Sequence, residues 1–148
     1  MGPANRSAPA QNGNFTDLSE VTIVVEKLDS ESKNLGLDET AIKNHVLVLL
    51  RTKLPRLLVE DSALSRVHIN VDVGDIRTGS EVLAYYGSVS LGVTRMVTIM
   101  ETRKVTLAFL YNSTIRLTGP PSRTSENVRG VLDQLLSGFA AAWYQDNP

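Results

Sequence analysis

The stretch Val67-His68-Ile69-Asn70-Val71-Asp72-Val73 alternates aliphatic and polar residues without a break. Successive side chains of a strand point to opposite faces, so the pattern predicts a β-strand with one buried surface and one wet surface. The rest of the chain must therefore supply an apolar layer over Val67, Ile69, Val71 and Val73, on one side only.

Two segments carry the stripe that such a layer needs. Asp38 can cap a helix in which Ile42, Val46, Leu49 and Leu50 follow i, i+4, i+7, i+8 spacing, and Pro55 prevents its continuation. Near the other end, Thr124 or Ser125 can cap a second helix whose Val128, Val131, Leu132, Leu135, Leu136, Phe139 and Trp143 line one face. Between and before them lie further strand patterns. Val21, Ile23 and Val25 point inward from a first strand, and Arg56–Val59 makes a short one. After a connection over Gly74–Ser80, a strand from Val82 places Leu83, Tyr85, Val89, Leu91 and Val93 on one face, with Tyr86, Ser88 and Ser90 on the other. Gly87 and Gly92 within it mark bends or bulges. A charged turn at Glu101–Lys104 leads to a strand in which Val105, Leu107, Phe109, Tyr111, Ile115 and Leu117 keep the period of two, until Gly119-Pro120-Pro121 ends the sheet.

These elements predict an α+β fold, a two-layer sandwich of a mainly antiparallel sheet with both helices packed on one face. At 148 residues and 42% hydrophobic, the chain has material for one core. The expected organisation is a disordered tail over 1–19, rich in small and polar residues, and a single domain over 20–146. Within the tail, Ala8-Pro9-Ala10 has the small-x-small form of a signal-peptidase site, although no apolar segment precedes it.

Composition removes several chemistries. With no cysteine there are no disulfides, thiolate nucleophiles or cysteine-bound zinc. A net charge of −1 lacks the positive excess that phosphate backbones attract, so no nucleic-acid partner is expected. No apolar run approaches the ~20 residues of a transmembrane helix. His45 and His68 are the only histidines, and neither belongs to a metal-binding motif; no metal and no cofactor is expected. Neither GxSxG nor a glycine-rich phosphate loop occurs, and the adjacent pair Glu60-Asp61 reads as a solvated loop.

The order strand, helix, short strand, three-strand meander and terminal helix resembles small exported bacterial envelope domains. These are the amino-terminal domain of the Tol-system translocation protein and the lipopolysaccharide-assembly or transporter-auxiliary lipoproteins. Val21–Val25, Leu37-Asp38-Glu39, Val67–Val73, Val82–Val93 and Val128–Trp143 carry the resemblance; the lipid-bearing cysteine of the lipoproteins is missing. The resemblance implies a periplasmic or exported, non-catalytic role with possible envelope association, and composition alone leaves the cytoplasm open.

The expected function is accordingly a non-enzymatic binding or assembly module whose partner is another protein or a second copy. Its candidate binding surface is the open sheet face: His68, Asn70, Asp72, Tyr86, Ser88 and Ser90, flanked by Thr22, Glu26 and Thr106. The alternative is a small enzyme or ligand-binding domain that uses a polar cluster on the same face. A concave pocket there would favour it.

Overall fold

The computed structural model describes residues 13–148. In chain order its elements are β1 (Glu20–Val25), α1 (Ser30–Asn34), α2 (Glu39–Lys53), β2 (Leu58–Val59), β3 (Arg66–Thr78), β4 (Glu81–Thr98), β5 (Val105–Gly119) and α3 (Thr124–Asp146). The sheet runs in the order β2-β1-β3-β4-β5. β1 is parallel to both its neighbours, and β3, β4 and β5 form an antiparallel meander. The fold is the expected α+β arrangement, with an open sheet.

The alternation in β3 has the predicted result. Val67, Ile69, Val71 and Val73 are buried, as are Val21 and Ile23 of β1 and Tyr85, Val89, Leu91 and Val93 of β4. All join one core with the stripes of α2 and α3. Asp38 caps α2, accepting a hydrogen bond from the Ala41 N–H at 2.8 Å. The cap of α3 differs from expectation. Thr124 is buried and its hydroxyl donates to the Pro121 carbonyl, because a 3-10 turn over Pro121–Arg123 feeds the helix and no side chain caps it.

A third, short helix stands between β1 and α2. Asp29 caps α1 by accepting from the Ser32 N–H, and the buried Ser32 hydroxyl donates to the Val73 carbonyl, fixing the helix on the end of β3. Hydrogen bonds from Ser32, the backbone one foremost, hold the Asp29 carboxyl below its ordinary value. The stability this cap supplies is present above that ordinary value and is lost as pH falls through the lowered one.

The N-terminal expectation changes for residues 13–19. Phe15 and Leu18 are buried, Phe15 meets Phe139 edge-on at 5.2 Å, and the Trp143 indole donates to the Leu18 carbonyl at 2.9 Å. The large apolar side chains in a polar stretch decide this, since each finds an aromatic pocket beside α3. The Ala8-Pro9-Ala10 motif lies outside the described residues.

Two register shifts alter the faces read from the meander. β3 continues to Thr78, and opposite Ile76 and Arg77 the strand β4 carries Leu83 as an extra residue. Leu83 is therefore exposed, where burial was expected. On β5 the extra residue is Leu110: Tyr111 pairs with Val93, but Phe109 pairs with Thr94. Such a bulge turns every later side chain to the opposite face. Tyr111, Ile115 and Leu117 pack against the core, whereas Val105, Leu107 and Phe109 lie on the open face and are exposed. Thr106 correspondingly leaves the open face, since it pairs with Val97 on the helix side.

The glycines inside β4 do not mark these shifts. A Cβ on Gly87 would stand 2.1 Å from the Asp72 carbonyl oxygen and 2.7 Å from the Val73 Cα, so the strands approach too closely there for any side chain. Gly92 instead makes room for the Phe109 ring. Gly87→Ala is expected to cost about 2–3 kcal/mol, a backbone clash with no flexible group to yield. Phe15→Ala is expected to cost about 3–5 kcal/mol, as for other buried aromatics. Urea midpoints measure both, and an unchanged midpoint for Phe15→Ala would remove residues 13–19 from the core.

Candidate functional site

On the open face the meander forms a polar grid. Asn70, Ser90 and Thr114 align across the three strands, as do Asp72, Ser88 and Arg116, and Gly74, Tyr86 and Thr118. Ser90 and Thr114 hydroxyls lie 2.8 Å apart. Asn70, Asp72 and Tyr86 are exposed. The six residues expected on this face thus share it, but they do not converge. His68 is drawn towards the first strand and the far hairpin: its Nε2 is 3.3 Å from the Thr94 hydroxyl, its Nδ1 3.9 Å from Glu26, and its ring 5.5 Å from that of Phe109. No group of three or more potential metal ligands occurs among the described residues.

The concave feature lies at the edge. A groove of about 990 Å³ opens where the end of β5 meets the first half of α3. Its lining comes from both faces of the sheet, so it wraps the strand's edge: Tyr86, Ser88, Arg116 and Thr118 on one side, Tyr85, Gly87 and Leu117 on the other. Glu126, Asn127, Gly130, Val131 and Gln134 of α3 form the facing wall. The size is at the top of the usual range for ligand sites, roughly 300–1,000 Å³, but the site is a trough and not a closed pocket. Of the six expected residues it takes Tyr86 and Ser88 only.

Local structure explains the groove's shape. β5 is the last strand, and among the described residues nothing pairs with its outer edge. Every second residue there turns its N–H and C=O away from β4, unpaired. The Tyr85 ring is fully buried, and its hydroxyl accepts from the Asn127 side chain at 2.6 Å, tying α3 to β4 at the floor of the groove. Across from the edge stands Gly130, in the middle of a 23-residue helix. A Cβ there would meet nothing within 4 Å. No packing contact among the described residues demands this glycine, although glycine costs a helix interior about 1 kcal/mol relative to alanine.

Apart from Val131, which belongs to the apolar stripe, the α3 residues escaped the sequence reading because they lie on the polar side of a helix whose stripe accounts for its folding. Gly130 on that polar side was the one available sign. Trp143 is buried at the edge of the core and Tyr144 is exposed beside it, with the Arg56 guanidinium 5.1 Å and 5.7 Å from their rings. The Nε2 of His45, between α2 and α3, faces no hydrogen-bond partner among the described residues.

The sequence matches no family model and no curated protein. Among solved structures it is similar to the PelC dodecamer from Paraburkholderia phytofirmans, at 14% identity over 93% of this chain and 92% of that one, with a TM-score of 0.47. A minor lipoprotein from Acinetobacter baumannii aligns at 9% identity, covering 85% and 90% of the two chains, with a TM-score of 0.42. Rare lipoprotein B from Shewanella oneidensis aligns at 12%, covering 85% and 91%, with a TM-score of 0.34. Identity at this level transfers no residue role.

Removing the Asn127 amide leaves a buried phenol without its partner, so Asn127→Ala is expected to lower stability by about 1–3 kcal/mol. Tyr85→Phe, which leaves only a half-exposed amide to find water, is expected to cost less. Thermal or urea unfolding of the two variants checks the order.

Proposed function

We propose that this chain is a non-enzymatic binding or assembly module that holds an extended segment of another protein along β5, within the groove facing α3. The observation that carries this reading is the conjunction of an unpaired strand edge with Gly130 directly across from it. A strand added to an edge needs backbone partners on one side and clearance for its own side chains on the other. The edge supplies the first, and the missing side chain at Gly130 supplies the second. Arg116, Glu126, Asn127 and Gln134 add side-chain donors and acceptors along the trough, which suit a peptide with polar residues at alternate positions. Location in the periplasm or elsewhere outside the cytoplasm is part of the proposal and rests on the resemblance of the element order to envelope domains.

A ligand-binding reading places a small polar molecule at the Tyr86, Ser88, Arg116 end of the same groove, where an aromatic ring and a guanidinium both line the trough. Size separates the two, because a small molecule occupies that end alone and does not reach the length of the strand.

Gly130 provides the experiment. Gly130→Ala is expected to stabilise the fold by about 0.5–1 kcal/mol, the helix-propensity gain with no clash to oppose it. Gly130→Trp should fold normally and fill the trough. Cross-linking from a photoreactive residue at Arg116, in cells that make the protein, should give a protein adduct that Gly130→Trp abolishes. An adduct indifferent to the tryptophan overturns the groove as the binding site.

A further inference from the structure

A second surface stands apart from the groove. Beyond the pair Arg66–Thr94 no third strand accompanies the meander among the described residues, and β4 and β5 continue alone as a two-stranded arm over 95–109. An isolated two-stranded ribbon in water is marginal and ordinarily polar. This one is neither short nor polar. Met96, Val105, Leu107 and Phe109 share its open face, and Ile99 and Met100 form its tip, all exposed, with Met100 83% and Phe109 65% accessible. Arg95, Arg103 and Lys104 oppose the single carboxylate Glu101 in this segment, three positive against one negative, net +2 in a chain whose total is −1. Arg95 is held against the N-terminal segment by the Asn14 and Thr16 carbonyls, which leaves Arg103 and Lys104 as the bases beside the tip.

We propose that the arm docks on an anionic lipid surface, with the tip inserted among the acyl chains and Arg103 and Lys104 at the headgroups. Two features select a lipid surface over a protein groove. The apolar side chains occupy the end of the ribbon as well as one broad face, and a groove made to receive a strand covers the face but leaves the end in water. The positive charge, moreover, sits beside the apolar tip and not along the far edge, which is the arrangement that interfacial anchors use. From Thr94 to Thr98 the arm spans about 13 Å. That length carries the tip through the ~5–10 Å boundary layer and leaves Phe109 near its outer limit. The inference is independent of the groove, which lies at the other end of the same strands.

Flotation of the full chain with vesicles tests it. Binding is expected to equal parts phosphatidylcholine and phosphatidylglycerol, to be much weaker with phosphatidylcholine alone, and to fall as salt rises. Met100→Asp is expected to reduce partitioning by at least about tenfold. Arg103→Glu with Lys104→Glu should lose about fivefold for each positive charge removed, and more for the reversal. Val48→Asp, on the exposed side of α2, should float as the wild type does. These positions are exposed, so circular dichroism and melting temperature should be unchanged in each. Equal flotation of the Met100→Asp and wild-type chains overturns the proposal. So does an absence of flotation accompanied by self-association that Met100→Asp abolishes, which would give the arm to a second copy of the chain.

Discussion

The bulge at Leu110 sets the character of the molecule's exposed surfaces. A strand with strict period-two alternation over 105–117 would put Phe109 and Leu107 in line with Tyr111 and Ile115, on the side that the helices cover. One extra residue breaks the line, and the burial divides there: Tyr111 packs between Phe15 and Phe139, while Phe109 folds over Gly92 on the opposite face. The core end of β5 thus commits its apolar side chains to stability, and the distal end presents them outward. Burial pushes the Tyr111 phenol above its ordinary value.

The helices impose the second division. α1 lies against β3, α2 against β1 and β2, and α3 against β4 and β5, and the core beneath them buries every aliphatic residue of β3 between Val67 and Val73. They do not extend over the arm, and α3 faces the β5 edge with its polar side. Apolar cover is therefore complete in the middle of the sheet and absent over the distal arm. Chains of this kind usually blunt such edges with charge, short strands or twist. Here Arg116, Arg103 and Lys104 supply some charge, but the edge is fifteen residues long.

The middle of this structure is what the sequence made legible. The strands' periodicity placed Val67–Val73 of β3 and the core half of β4 correctly, the capping aspartate located α2, and the stripe of α3 gave its inner face. The same pattern put Asn70, Asp72, Tyr86, Ser88 and Ser90 on one polar surface. What failed has a common physical cause. A bulge changes facing without changing composition, so Leu83, Leu107, Phe109 and Thr106 read as if the alternation continued. Phe15 and Leu18 were lost for the complementary reason: two buried anchors in a polar segment create no periodicity. The groove was illegible because it is made by tertiary apposition of a strand edge and a helix, and only Gly130 left a trace in the sequence.

The two surfaces are connected through one pair of strands. From Gly87, beside the groove, to Thr98, at the base of the tip, β4 runs eleven residues, roughly 35 Å at strand rise. With the arm's tip in a lipid boundary, the groove would stand clear of the headgroups, at the other end of the strands. A segment paired along β5 would then run along the strand axis, with its far end carried towards the membrane. Up to Thr94 the strands between them are braced by β3 and α3; beyond it the arm is held by its own ladder and by Arg95 on the N-terminal carbonyls. The Leu110 bulge, where β5 changes face, marks the boundary between the braced part and the arm.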